Sequence, residues 1–156
     1  MRFREDQKTG PVGRQARAGV NGLVDMATRS DVRTKMVLAV YVACFAIGAL
    51  NHARDFLTGG WRPYAWGPPL LELFWSSLVI VDALVIAMLL SRYRRSGLLL
   101  AAAIMIVDVV ANSYALVVLR IPAFGLAVSL QATFLGFILG SIAFLWPRGA
   151  GAARVY

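Results

Sequence analysis

The chain has 156 residues, of which 59% are hydrophobic and only 15% charged, with a formal net charge of +8 and a mean hydropathy of +0.67. The length suits one small domain, and the composition excludes an ordinary water-soluble globule and points to a lipid-embedded chain. A single cysteine, Cys44, rules out an intrachain disulfide and any multi-cysteine zinc or iron–sulfur site.

Residues 1–35 carry eight Lys/Arg and four acids. They have no apolar core and no small-residue cleavage site, so they read as a basic cytoplasmic tail and not as a secretory signal peptide. Within the tail, Val20, Leu23, Val24 and Ala27 recur at helical spacing between Arg14, Arg17 and Arg29. That pattern suits a short helix lying on a membrane surface, with a solvated tail as the alternative. The excess positive charge sits beside the expected membrane, where it is drawn to anionic lipid, so it implies membrane lipid and no nucleic acid as the partner.

Four apolar stretches then follow, at about 36–57, 70–90, 98–119 and 123–146. Each reaches the roughly 20 residues that a helix rising 1.5 Å per residue needs to cross the hydrocarbon core. The expected fold is all-α, an integral membrane four-helix bundle over residues 36–146, followed by a short tail, 147–156. The first connection, TGGWRPYAWGPP, groups Trp61, Tyr64 and Trp66 as an aromatic layer suited to headgroups. A lid over an outward-opening site is its functional alternative. Pro68, Pro69 and Pro122 sit where helices begin, and Pro147 ends the last one. The short links after the second and third helices require antiparallel neighbours. Thirteen Lys/Arg fall on the side of the termini and three (Arg54, Arg62, Arg120) on the other. By the positive-inside rule both termini are cytoplasmic.

Polar residues fall on defined faces at 100° per residue. Helix one gathers Tyr41, Cys44, Gly48, Asn51, His52 and Asp55 in one stripe; helix two places Glu72, Trp75, Ser76 and Asp82 in a broader sector; helix three aligns Ala101, Asp108, Asn112 and Ala115. Neither 70–90 nor 98–119 holds a lysine or arginine to neutralise Asp82 or Asp108. An ionisable group in hydrocarbon costs about 2.5–3.5 kcal/mol on insertion scales, which makes it a functional candidate by default. With His52, Asp55 and Glu72 at the outer mouth, these acids form a ladder able to carry a proton or small cation. The structural alternative is neutral hydrogen-bonding glue between helices. Helix four is different: Gly125, Ser129, Ala132, Thr133, Gly136, Gly140 and Ala143 make a small-residue packing face, with Gly136 and Gly140 as a GxxxG pair. Gln131 projects from nearly the opposite side, where an amide needs a partner.

The segments GGWRPYAWGPPLLELFWSSLVIVD, IMIVDVVANSYAL and LQATFLGFILGS hold Trp61, Tyr64, Trp75, Asp82, Asp108, Asn112 and Gln131. Together they resemble a widespread type of small bacterial four-helix membrane protein. The resemblance covers about two thirds of the chain and implies the bacterial cytoplasmic (inner) membrane and this architecture, with no particular activity.

The functional expectation is a multi-pass protein that binds or translocates a proton, cation or small amphiphile, with Asp108, Asp82, Asn112, His52, Asp55 and Glu72 as its site. A second reading is an accessory membrane subunit, a homodimer or part of a larger complex, whose acids set packing. A third is an enzyme acting on lipid or isoprenoid, with His52 and carboxyls as acid and base. No nucleophile elbow, P-loop or dinucleotide fingerprint supports catalysis, and no cofactor or metal site is expected.

Overall fold

The computed structural model describes residues 11–146, with side chains placed for Met26 and from Thr28 onward. Four helices make up this part: α1 (Pro11–Gly59), α2 (Pro69–Leu89), α3 (Arg94–Val117) and α4 (Phe124–Leu145). The side chains of Val20, Leu23, Val24 and Ala27, the segment 147–156 and the stop expected at Pro147 lie outside the described residues. The chain divides into two compact units at Met36/Val37, and the bundle is the second.

Each helix contains a stretch long and apolar enough to cross a membrane: Thr28–Gly59, Pro69–Leu89, Arg94–Val117 and Phe124–Leu145. Their flanks explain their bounds. Gly60 adopts φ +75° beyond α1, a conformation that only glycine takes without strain, and its N–H still reaches the Phe56 carbonyl at 3.0 Å. Pro68 and Pro69 open α2, where a missing N–H costs no helical bond. α3 starts at Arg94, four residues before its apolar run, because a tight turn at 91–93 already sets the helical register. Gly97 lets that turn close. A Cβ there would stand 3.0 Å from the Leu89 nitrogen and from the Met88 Cβ.

The bundle has two buried clusters, one near each end. At the end carrying the 91–93 turn, here the arginine end, Tyr41 and Phe45 of α1 meet Val85 and Leu89 of α2, Leu98 and Met105 of α3, and Ile138 of α4. Tyr41 is fully buried and donates its hydroxyl to the Ile138 carbonyl at 3.1 Å, tying α1 to α4. At the other, aromatic end, Tyr64, Trp75, Leu78 and Ala115 pack together. Trp75 stacks on Phe124 with centroids 5.4 Å apart, and Trp66 leans on both rings. The perimeter is apolar: Leu70, Leu73, Ile80, Val110, Leu126 and Leu130 are all exposed, as hydrocarbon requires and water penalises.

The small-residue face of α4 turns away from the other helices. Ser129, Ala132, Thr133, Gly136, Gly140 and Ala143 are exposed, and a Cβ at Gly136 or Gly140 would meet nothing within 4 Å. The hydroxyls of Ser129 and Thr133 donate to the carbonyls of Gly125 and Ser129 four residues back. The face therefore presents no unmet donor.

Candidate functional site

Polar side chains from all four helices occupy successive levels of the bundle. Outermost at the aromatic end, Arg62 grips Glu72 with two parallel bonds, Nε to Oε1 and Nη2 to Oε2, both 2.7 Å. The guanidinium is held above its ordinary range by those bonds to the Glu72 carboxylate, a fork geometry that favours two charged partners. Glu72 is thus engaged at the surface and stands apart from the other acids that the sequence groups with it.

One level in, His52, Tyr64 and Asp55 form a hydrogen-bonded chain. The Tyr64 hydroxyl donates to Asp55 Oδ2 at 2.6 Å and lies 2.8 Å from His52 Nδ1. Because the phenol has a single proton, committed to Asp55, it can only accept from His52, which fixes the Nδ1–H tautomer. Burial, reinforced by the hydrogen bond to Asp55, pushes the Tyr64 phenol well above its usual range. It stays a proton donor to Asp55 wherever the protein works. Asn51, assigned by spacing to the same inward stripe, is exposed.

The third level is a closed network across three helices. Trp75 Nε1 of α2 donates to Asn112 Oδ1 of α3 at 2.8 Å. The Asn112 amide then gives one N–H to Asp108 Oδ1 at 3.2 Å and another to Gln131 Oε1 of α4 at 2.6 Å. Gln131 Nε2 completes the ring on Asp108 Oδ2 at 2.6 Å. An indole N–H can only donate, so it forces the Asn112 oxygen toward itself and the Asn112 NH2 inward. That choice orients Gln131 in turn. Every hydrogen bond in the ring runs toward Asp108, whose two oxygens act only as acceptors. Gln131 therefore finds within its own chain the partner its position demands. Tyr64 and Trp75, whose ring centroids are 5.5 Å apart, join this level to the His52–Tyr64–Asp55 chain.

Asp82 lies deeper, toward the arginine end. It is 5% exposed, and no hydrogen bond reaches its carboxyl among the described residues. Its Oδ2 lies where α1 has no side chain: a Cβ on Gly48 would come within 2.5 Å of it.

Sequence spacing points to Asp108, Asn112, Asp82, His52 and Asp55, and to Gln131 as an amide in need of a partner, but not to the partnership itself. It assigns no site role to Tyr64, in a loop read as an interfacial belt, or to Trp75, read only for its face. A polar tip on an otherwise buried body is the signal that marks the last two. Among the described residues no group of three His, Cys, Asp or Glu is placed to hold a metal ion. No family model matches the chain, and neither the curated proteins nor the solved structures contain a match.

Proposed function

We propose that this is a multi-pass protein of the bacterial cytoplasmic membrane, with both termini cytoplasmic, that binds or translocates a proton, cation or small amphiphile through an acidic interior entered from the aromatic end. The observation that carries this reading is the axial succession Asp55–Tyr64–His52, Asp108–Asn112–Gln131, Asp82, with no lysine or arginine among these interior groups. Groups able to exchange protons, held at successive depths in hydrocarbon, are what a relay needs. The Arg count on the two sides supports the orientation.

The test is proton release or uptake by the purified chain in detergent on adding alkali cations and hydrophobic amines, with Asp82→Asn and Asp108→Asn as comparisons. A ligand-linked proton signal that falls in a folded variant supports the proposal. Equal signals in wild type and both variants refute it. A second reading has its own observation: the ring around Asp108 closes on itself and binds α2, α3 and α4 together, as packing glue would. If the acids serve only packing, in an accessory subunit, no ligand moves a proton and the exposed Gly136/Gly140 face is the docking seam.

A further inference from the structure

The two interior acids are built differently, and the difference names the ligand. This inference rests on the proposed binding function and narrows it. Asp108 accepts from two amides whose orientation Trp75 dictates. Those bonds occupy both of its oxygens as acceptors, leaving neither open to a further ligand from the described side chains. Asp82 is 5% exposed, and among the described residues no hydrogen-bond donor or cation engages its carboxyl, whose oxygens are not wholly enclosed.

We propose that Asp82 is the proton-binding carboxyl of the interior, seated against the α1 backbone at Gly48, and that the ligand of this level is a proton rather than a metal cation. A hard cation needs about six oxygen ligands or retained waters around it. Asp82 offers one carboxyl facing the Cα of a glycine, with Leu78 and Val85 one turn away on its own helix, both buried. A proton needs only one oxygen. Uptake adds H⁺ from water to a carboxylate oxygen and removes a charge from the hydrocarbon; release returns it, with no other bond made or broken.

The surrounding titratable groups leave the carboxyl without a counter-charge. α3 supplies Asp108, a second acid whose oxygens are taken by Asn112 and Gln131. α4 contains no titratable residue. Along α1 the titratable and charged groups flanking Gly48 are Tyr41, Cys44, His52, Arg54 and Asp55; Tyr41 is committed to Ile138 and Ser141, His52 and Asp55 to Tyr64, and Arg54 is exposed. On α2, Glu72 is taken by Arg62. Arg94, at the arginine end, donates to the Leu89 carbonyl at 3.4 Å. Gly48 is what admits the group. A glycine in mid-helix weakens the helix relative to alanine, and here it leaves room that a Cβ would take from the Asp82 oxygen.

Infrared difference spectroscopy of the full chain in lipid nanodiscs, titrated over pH, tests this directly. A C=O band of a protonated carboxyl, shifted in D2O, should titrate in wild type, disappear in Asp82→Asn, and persist in Asp108→Asn/Gln131→Glu, which keeps the amide ring intact. Gly48→Ala should move the band or its midpoint by displacing the carboxyl. Persistence of the whole band in Asp82→Asn overturns the inference and assigns the proton elsewhere, as does an unchanged band in Gly48→Ala. If no band titrates while cations still release protons, the inference falls and the proposed binding function stands. If neither signal exists, both fall.

Discussion

Replacing Asp108 by asparagine is nearly isosteric, and the ring predicts that it is nonetheless costly. Asp108 receives N–H groups on both oxygens, from Asn112 and from Gln131. Asparagine has one oxygen and one NH2, so one of those donors must face another donor. Turning Gln131 over moves the conflict to Asn112, and turning Asn112 over moves it to the Trp75 indole. No flip resolves it. One interhelical bond is lost, worth about 0.6 kcal/mol on average in membrane bundles, and one buried N–H is left unmet at about 1–3 kcal/mol. The expected destabilisation is about 2 kcal/mol, or roughly 30-fold in the folded ratio. Adding Gln131→Glu restores the pattern with the acid moved from α3 to α4: Asn112 donates to both neighbours, and the new amide at 108 donates to the new carboxylate. The double variant should recover most of the loss. Reversible unfolding in mixed detergent micelles, followed by tryptophan fluorescence, measures all four corners of the cycle. A single variant as stable as wild type, or a double variant no better than the single, would refute the donor-directed ring.

The other expectations follow from the same geometry. Asp82→Asn loses no hydrogen bond and should leave stability within about 0.5 kcal/mol of wild type or raise it, by the same unfolding assay. Trp75→Phe frees Asn112 to turn, so Asp108→Asn should cost less in that background, read as a positive coupling in the cycle. Gly97→Val should destabilise by about 1–3 kcal/mol because a Cβ already meets Leu89 and Met88. Gly136→Leu should leave the monomer's stability unchanged, and a shift in oligomeric state by light scattering would place a partner on that face. Tyr64 carries a pH signature: its folded phenol is raised by burial while the unfolded one ionises near 10. Below that pH its contribution is complete. As pH rises past 10 the unfolded chain sheds its proton first, so stability should fall, and Tyr64→Phe should abolish that part of the alkaline loss.

The helices were legible because the physics that sets them is local. Runs of about 20 apolar residues mark four elements whatever their packing, but not where each helix starts: α1 extends back to Pro11, far before the run expected at 36–57, and α3 to Arg94. The faces of α3 were legible too, since Asp108 and Asn112 are one turn apart and must lie together. What the sequence could not supply was which helix completes each face. Asn112 and Gln131 are 19 residues apart and meet only because α3 and α4 run antiparallel at matching depth. Arg62 could have neutralised Asp55 or Glu72, both within ten residues; backbone geometry at Pro68 and Pro69 brings α2's first turn under its fork. The outward direction of the Gly136/Gly140 face was equally undetermined, because a small-residue stripe packs as well inside a bundle as between copies.

The contrast between the two acids also decides how the interior must be probed. A packing role predicts that every buried carboxyl is saturated, since an unmet polar group in hydrocarbon is a pure cost. Asp108 meets that rule with a donor on each oxygen; Asp82, 5% exposed and not wholly enclosed, receives no donor among the described residues and sits against a glycine that itself weakens α1. Two unfavourable choices at one contact, on separate helices, are not what bundle stability alone selects. Neutralising Asp108 therefore perturbs packing and chemistry together, whereas Asp82→Asn removes a proton-binding group while leaving the hydrogen-bond ring untouched. A loss of proton signal in Asp82→Asn with unfolding stability held or raised would separate chemistry from architecture in this chain. Equal losses of signal and stability would return Asp82 to the architecture.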